Sequence, residues 1–245
     1  MKLSELFTRT LRQAPSEEVS VNAQLLIRGG FIHKVMAGVY EYMPLGQRVL
    51  DKINMIIRDE MNRTGAQELT MTVLQNKETW AATGRWETAK DVMYQFKDST
   101  GRDMGLGWTH EEPLTEAARH YISSYKDLPR AVYQIQVKFR NELRARSGLL
   151  RGREFLMKDL YSFHASQEDL DRYYEVVAQA YTNIFERAGL PVRRTLASGG
   201  LFSKYSDEFQ VLSDAGEDTI TYCTECSYTA NADVSKELGL TNVCP

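Results

Sequence analysis

With 245 residues, 42% of them hydrophobic and 26% charged, the chain can bury a sizeable core and has the balance of a folded soluble domain, not of a disordered segment. Its 30 Lys+Arg against 33 Asp+Glu leave a formal net charge of -3, which excludes a general polycation that coats nucleic acid or anionic membrane; any basic function must be local. The opening residues have no long apolar stretch and carry Glu5, Glu17 and Glu18, so they read as neither a secretory signal nor a transit peptide. No run is long enough to span a bilayer, and the three cysteines all lie beyond residue 220 without making a paired framework, so the cytoplasm is the expected compartment.

In chain order, "LSELFTRTLRQ" predicts a short amphipathic helix ending before Pro15, and Ser20 caps a second helical segment that runs to Gly29 and Gly30. "GVYEYM" reads as a strand. Pro44 then opens a long amphipathic helix, with Val49, Leu50, Ile53, Ile56, Ile57 and Met61 at spacings of three and four up to Gly65. A strand at "AQELTM", a short helix at "NKETWAA", and a hairpin of "VMYQFKD" and "DMGLGW" around "STGR" come next. The helix "EEPLTEAARHYISS" follows.

Two apolar-rich strands, "RAVYQIQVKFRNE" and "REFLMKDLYSF", bracket an arginine-rich loop, which is therefore the tip of an antiparallel hairpin. Ser166 and Asp169 resemble a capping box for a helix through Ala188, with Leu170, Tyr173, Val177, Tyr181, Ile184 and Phe185 as its inward stripe. After Pro191 the chain is strand-rich. Glycine-rich phosphate loops are absent, and strands and helices mix without strict alternation. The expected class is α+β, an antiparallel sheet with helices packed on one side.

The loop holds Arg140, Arg144, Arg146, Arg151 and Arg153. Guanidinium groups match phosphate oxygens with planar, bidentate, permanently charged donors, so arginines on a strand end and a loop exit can converge on one polyphosphate. Arg140 and Glu142 are two residues apart and share a strand face, while Phe155 on the return strand offers a flat surface for a purine. A solvated, salt-bridged hairpin tip is the alternative reading of the same charges.

"FRNE" at 139–142 followed by "RGREF" resembles motif 2 of the class II aminoacyl-tRNA synthetases, and "QVKFRNELRARSGLLRGREFLMKDLYSF" is most similar to the bacterial-type prolyl branch. "GVYEYMPLGQRVLDKINMIIRDEM" is similar to motif 1 and "WTHEE", 108–112, to the TxE amino-acid loop. The resemblance implies a class II catalytic core over 1–222 that activates proline with ATP to prolyl-adenylate and pyrophosphate, then transfers proline to tRNA(Pro). It implies Mg²⁺ on the ATP phosphates and a homodimer through motif 1. Arg140 would hold the α-phosphate beside the proline carboxylate, Glu142 would contact the adenine side, Arg151 would reach the γ-phosphate, and Phe155 would stack on adenine.

Thr109 and Glu111 would accept the two N–H groups of the proline ring ammonium, with Glu111 balancing its charge. Read without the resemblance, "THEE" simply opens a helix, with Thr109 as cap. His164, following the return strand, would close the proline pocket; His33, His110 and His120 are given no role.

Three features depart from the pattern. "ASGGLFSKYSDEF" carries Asp207 where the family's approximate "DSGxIGGSxSHEF" has histidine, so the pocket wall is expected to differ. No motif 3 and no anticodon-binding domain are found, so the sequence reads as the N-terminal catalytic part of a longer enzyme, incomplete at the C-terminus. Residues 223–245 read as the start of a cysteine-containing insertion, in which Cys223 and Cys226 have zinc-knuckle spacing and Cys244 is a third candidate Zn²⁺ ligand, against three unligated thiols. A non-catalytic synthetase-like subunit, a threonyl- or seryl-type enzyme of the same subclass, and a plain nucleic-acid-binding module remain as alternatives.

Overall fold

A computed structural model of the chain describes residues 2–143, 145, 147–200, 203–214 and 216–240, Leu3 by its backbone only. The contacts gather into two compact units, Met1–Asp171 and Arg172–Pro245.

The first unit opens with a single 3-10 turn, Leu3–Glu5, where a helix reaching residue 13 was expected. Phe7 is 82% exposed and Leu11 41%, so the apolar stripe has no core to cover, and a helix of about three turns is marginal in water without one. Helix α1, Val21–Arg28, does start after Ser20, although the serine side chain makes no capping bond. Strands β1, Ile32–Met36, and β2, Val39–Tyr42, form an antiparallel hairpin of which the sequence reading resolved only the second strand. Its turn needs Gly38, at φ +75°.

Helix α2, Pro44–Arg63, has proline in its first turn and buries Gly46, Glu60 and Met61. Val49 and Ile53, expected to face inward, are exposed within this chain. After the short strand β3, Gln67–Glu68, come β4, Leu74–Asn76, helices α3, Lys77–Ala81, and α4, Arg85–Thr88, then β5, Gln95–Lys97, and β6, Asp103–Leu106. These strands make an antiparallel sheet in the order β4-β6-β5. Trp80, Trp86, Ala89, Met93 and Trp108 form one buried cluster. Helix α5, Glu111–Tyr121, leaves from its edge.

Strands β7, Arg130–Phe139, and β8, Glu154–Phe163, pair antiparallel in unbroken register from Arg130 opposite Phe163 to Phe139 opposite Glu154. β3 adds to β7 in parallel. Helix α6, Gln167–Arg187, follows, with the Asp169 N–H donating to Ser166 Oγ at 3.2 Å as the capping pattern predicts.

In the second unit the remainder of α6 buries Ala178, Ala180 and Ile184, and Tyr181 and Phe185 meet Phe209 at ring-centroid distances of 5.3 and 6.3 Å. Leu170, expected in the inward stripe, is exposed. Strands β9, Val192–Ser198, β10, Tyr205–Val211, β11, Ile220–Tyr222, and β12, Thr229–Asn231, form a sheet ordered β10-β9-β12-β11, completed by helix α7, Ala232–Glu237.

The class is α+β as expected, but a single antiparallel sheet is replaced by several small ones among the described residues. β3 with β7 and β12 with β9 pair in parallel. Ala230 pairs with Leu196, so the cysteine-bearing hairpin is zipped into the sheet that β9 and β10 begin.

Candidate active site

The functional face follows from strand periodicity. Side chains at alternate positions of β7 share a face, and directly paired residues of β8 join them, so Gln134, Gln136, Lys138 and Arg140 lie with Phe155, Met157, Asp159 and Tyr161. That face is polar yet inward: Gln134, Gln136 and Lys138 are all buried. Arg140 stands at its end, its guanidinium carbon 5.3 Å from the Phe155 ring centroid and its Nε donating to the Trp108 carbonyl at 3.3 Å. Burial pulls its pKa below the ordinary guanidinium value, with Glu142 and then Glu111 opposing. Among the described residues no carboxylate comes within ion-pair distance of it.

The 107–111 loop is laced to the same hairpin. The Phe139 N–H donates to Gly107 O at 3.0 Å, and the Gly107 N–H to Val73 O at 2.8 Å. Gly107 has no room for a side chain, since a Cβ there would stand 2.7 Å from the His110 ring. Thr109 is buried, and its hydroxyl donates to Glu111 Oε2 at 2.6 Å. The helix N-cap is His110 and makes no side-chain capping bond, so Thr109 serves the Glu111 carboxylate and not the helix end. With its proton given to Glu111, the Thr109 oxygen keeps lone pairs for an incoming donor.

Sequence reasoning gave no role to three groups around this loop. Arg85 lies over the Trp108 ring at 4.6 Å and the Trp80 ring at 5.6 Å. It pairs with Glu112 at 2.9 Å and stands 3.6 Å from Glu111, so Glu112 is its tighter partner and the Glu111 charge is only partly compensated. His110 is fully buried, its Nε2 2.9 Å from Thr72 O, with burial lowering its pKa so that the ring is neutral. Lys138 is also fully buried, 2.9 Å from Asp159 Oδ1. The signal available for Lys138 was the period-two run Gln134, Gln136, Lys138, Arg140, which marks one polar face on a strand otherwise rich in apolar residues.

The arginine loop closes through its backbone. The Arg140 N–H donates to Arg153 O at 2.9 Å, Arg153 Nε donates to Glu142 O at 2.9 Å, and the Arg153 N–H donates to Gly38 O at 2.7 Å, seating the β1–β2 turn on the loop exit. Arg151 is exposed just before β8. Arg144 and Arg146 lie outside the described residues.

Arg140, Glu142, Phe155, Thr109 and Glu111 are thus brought to one end of the β7–β8 hairpin and the loop laced to it. His164 follows β8 at the other end of the hairpin, where Phe163 pairs with Arg130, and its Nδ1 lies 2.6 Å from Asp169 Oδ2.

The family model of the tRNA synthetase class II core domain (G, H, P, S and T) matches residues 94–239. The chain belongs to that family. Two curated relatives, the proline–tRNA ligases of Moorella thermoacetica and Bacillus cytotoxicus, are each 50% identical over 236 residues, which is 96% of this chain but 41% and 42% of theirs. The chain therefore spans less than half the length of these relatives. Among solved structures it resembles the prolyl-tRNA synthetase of Cryptosporidium parvum complexed with L-proline and AMP, with TM-score 0.66 and 18% identity over 75% of this chain and 38% of that one. The Giardia lamblia prolyl-tRNA synthetase in complex with prolyl-adenylate gives TM-score 0.68 at 17% identity, over 74% of this chain and 39% of that one. These two likenesses concern the fold.

In the second unit Asp207 lies 2.6 Å from Arg194, whose other carboxylate partner is Glu175 at 2.6 Å. Cys223 and Cys226 flank the β11–β12 turn: Cys223 Sγ accepts the Glu225 N–H at 3.3 Å and Cys226 Sγ the Tyr228 N–H at 3.4 Å. Cys244 lies outside the described residues, among which no group of three or more His, Cys, Asp or Glu is arranged to hold a metal ion. No helix among them is long and apolar enough to cross a membrane.

Proposed function

We propose that this chain is the amino-acid-activating part of a proline–tRNA ligase. The observation that carries the reading is the lacing of the Thr109–Glu111 pair to the strand end that bears Arg140, through Trp108 O and Gly107 O, in a chain half identical to proline–tRNA ligases. A carboxylate-and-hydroxyl pair beside a guanidinium suits a zwitterion. Glu111 and Thr109 accept the two N–H groups of the proline ammonium, and Arg140 takes the carboxylate together with the α-phosphate of ATP.

A carboxylate oxygen of proline attacks the α-phosphorus, the bond to the bridging oxygen of the β-phosphate breaks, and pyrophosphate leaves with the electron pair. No proton needs to move in this step, so positioning and charge neutralisation carry the rate. A terminal ribose hydroxyl of tRNA(Pro) then attacks the prolyl carbonyl, losing its proton, and AMP departs. Phe155, Glu142 and Arg151 are assigned to the nucleotide. Mg²⁺ belongs to ATP in this reading, since the ion keeps several waters and binds largely through substrate phosphates. Such an enzyme works where tRNA is charged, in the cytoplasm.

Proline-dependent exchange of labelled pyrophosphate into ATP by the full-length protein tests the reading. Exchange with proline and not with threonine or serine is expected; exchange with another amino acid instead would overturn it. Two finer assignments accompany it. The exposed Tyr42, Val49, Ile53 and Met55 support a homodimer through α2, and Ile53→Lys should shift sedimentation toward monomer. The paired N–H···S bonds at Cys223 and Cys226 suit thiolates that hold Zn²⁺, and Cys223→Ser should lower the zinc content of the purified protein.

A further inference from the structure

The buried polar face of the β7–β8 hairpin continues beyond the groups that meet substrate, and resting on the proposed proline activation we infer that Lys138, Asp159 and Tyr161 are positioning residues that orient the Thr109–Glu111 peptide. Lys138 Nζ lies 2.9 Å from Asp159 Oδ1 and donates to Gln136 Oε1 at 3.1 Å. Asp159 Oδ2 accepts from Gln134 Nε2 at 2.9 Å and from the Tyr161 hydroxyl at 2.7 Å. The Tyr161 oxygen in turn accepts the backbone N–H of His110, the residue between Thr109 and Glu111, at 3.1 Å.

The Tyr161 O–H points at Asp159 Oδ2, which accepts it. Its lone pairs are then left for His110. Burial, with Asp159 next, drives the Tyr161 hydroxyl far from ionisation, which keeps that proton in place. A second clamp acts on the same residue: His110 Nε2 bonds Thr72 O, and the neighbouring Met71 is held by Gln136 Nε2 at its carbonyl and by Gln134 Oε1 at its N–H.

A buried ion pair is seldom more stabilising than packed apolar side chains. Orientation of the loop is what this one supplies. It fixes the peptide plane from which Thr109 and Glu111 project, without either charged group touching the reactants.

The test uses the full-length enzyme with Tyr161→Phe, which removes the link and leaves the ring. We expect the proline KM in pyrophosphate exchange to rise about five- to tenfold, the loss of one hydrogen bond, while kcat and the ATP KM stay within about twofold. Hydrogen exchange read by mass spectrometry should show lost protection at residues 109–112, with β7 and β8 unchanged. Lys138→Met should act in the same direction more strongly, and adding Asp159→Asn should restore part of the loss by removing the stranded carboxylate. Unchanged proline KM and unchanged protection in Tyr161→Phe would overturn the inference, as would equal rises for proline and ATP. An inactive wild type would count against the proposed function instead, and the exchange protection would still decide the positioning role.

Discussion

Arg140 and Arg194 each stand on an antiparallel hairpin, one in each compact unit, and their surroundings are opposite. Arg194 is held by Glu175 and Asp207, which raise its pKa, Glu175 first, so its charge is answered within the chain. Arg140 is pulled the other way by burial; its contacts are a ring face and a carbonyl, which orient it without neutralising it. The same side chain on the same kind of scaffold is a structural tie in one place and, in the proposed reading, an anion receptor in the other. What separates them is the pairing of charge, not the residue type.

The sharpest way to break this comparison is Arg140→Ala, for which we expect proline-dependent pyrophosphate exchange to fall about 10³-fold, since a donor aimed at developing charge is lost, with little change in thermal unfolding. Glu111→Gln comes next. Proline binding should weaken roughly 10- to 100-fold, corresponding to a charge-assisted hydrogen bond of about 1.5–3 kcal/mol, while ATP binding measured separately stays constant. Thr109→Val, which removes a neutral acceptor at nearly constant volume, should weaken proline about fivefold.

The Arg194 side should respond in stability and not in activation. Arg194→Met is expected to lower unfolding free energy by about 0.5–1 kcal/mol, because Glu175 is largely exposed and solvent screens the pair. Smallest is a pH effect. The Arg194 guanidinium holds the Glu175 carboxylate below its ordinary pKa, so its contribution is present above the ordinary carboxylate range and is lost as pH falls through the lowered value. Glu175→Gln should flatten that acid slope in chemical denaturation curves by about 0.5 kcal/mol or less.

The hairpin that carries Arg140 was legible because its cues agree: two runs of strand-forming residues and a basic loop between them. Ser166 was legible as a cap for the same reason. The first eleven residues misled, because their helical spacing is real but Phe7 and Leu11 have nothing to cover. Strand β1 escaped because His33 and Lys34 break its apolar pattern, although Gly38 marked the turn. At the candidate site, motif resemblance pointed to Arg140, Thr109 and Glu111, whereas Arg85 and Tyr161 left no such cue, because their contacts with Glu112 and the His110 N–H join segments far apart in sequence.

The most direct test is calorimetric binding of a non-hydrolysable prolyl-adenylate analogue to the full-length protein and to two conservative variants. Arg140→Lys keeps the charge and loses the planar fork, and we expect it to bind at least about a hundredfold more weakly; Arg194→Lys should bind within about twofold of the wild type. Equal affinity in all three proteins, or equal losses in both variants, would contradict the assignment of Arg140 as the anion receptor.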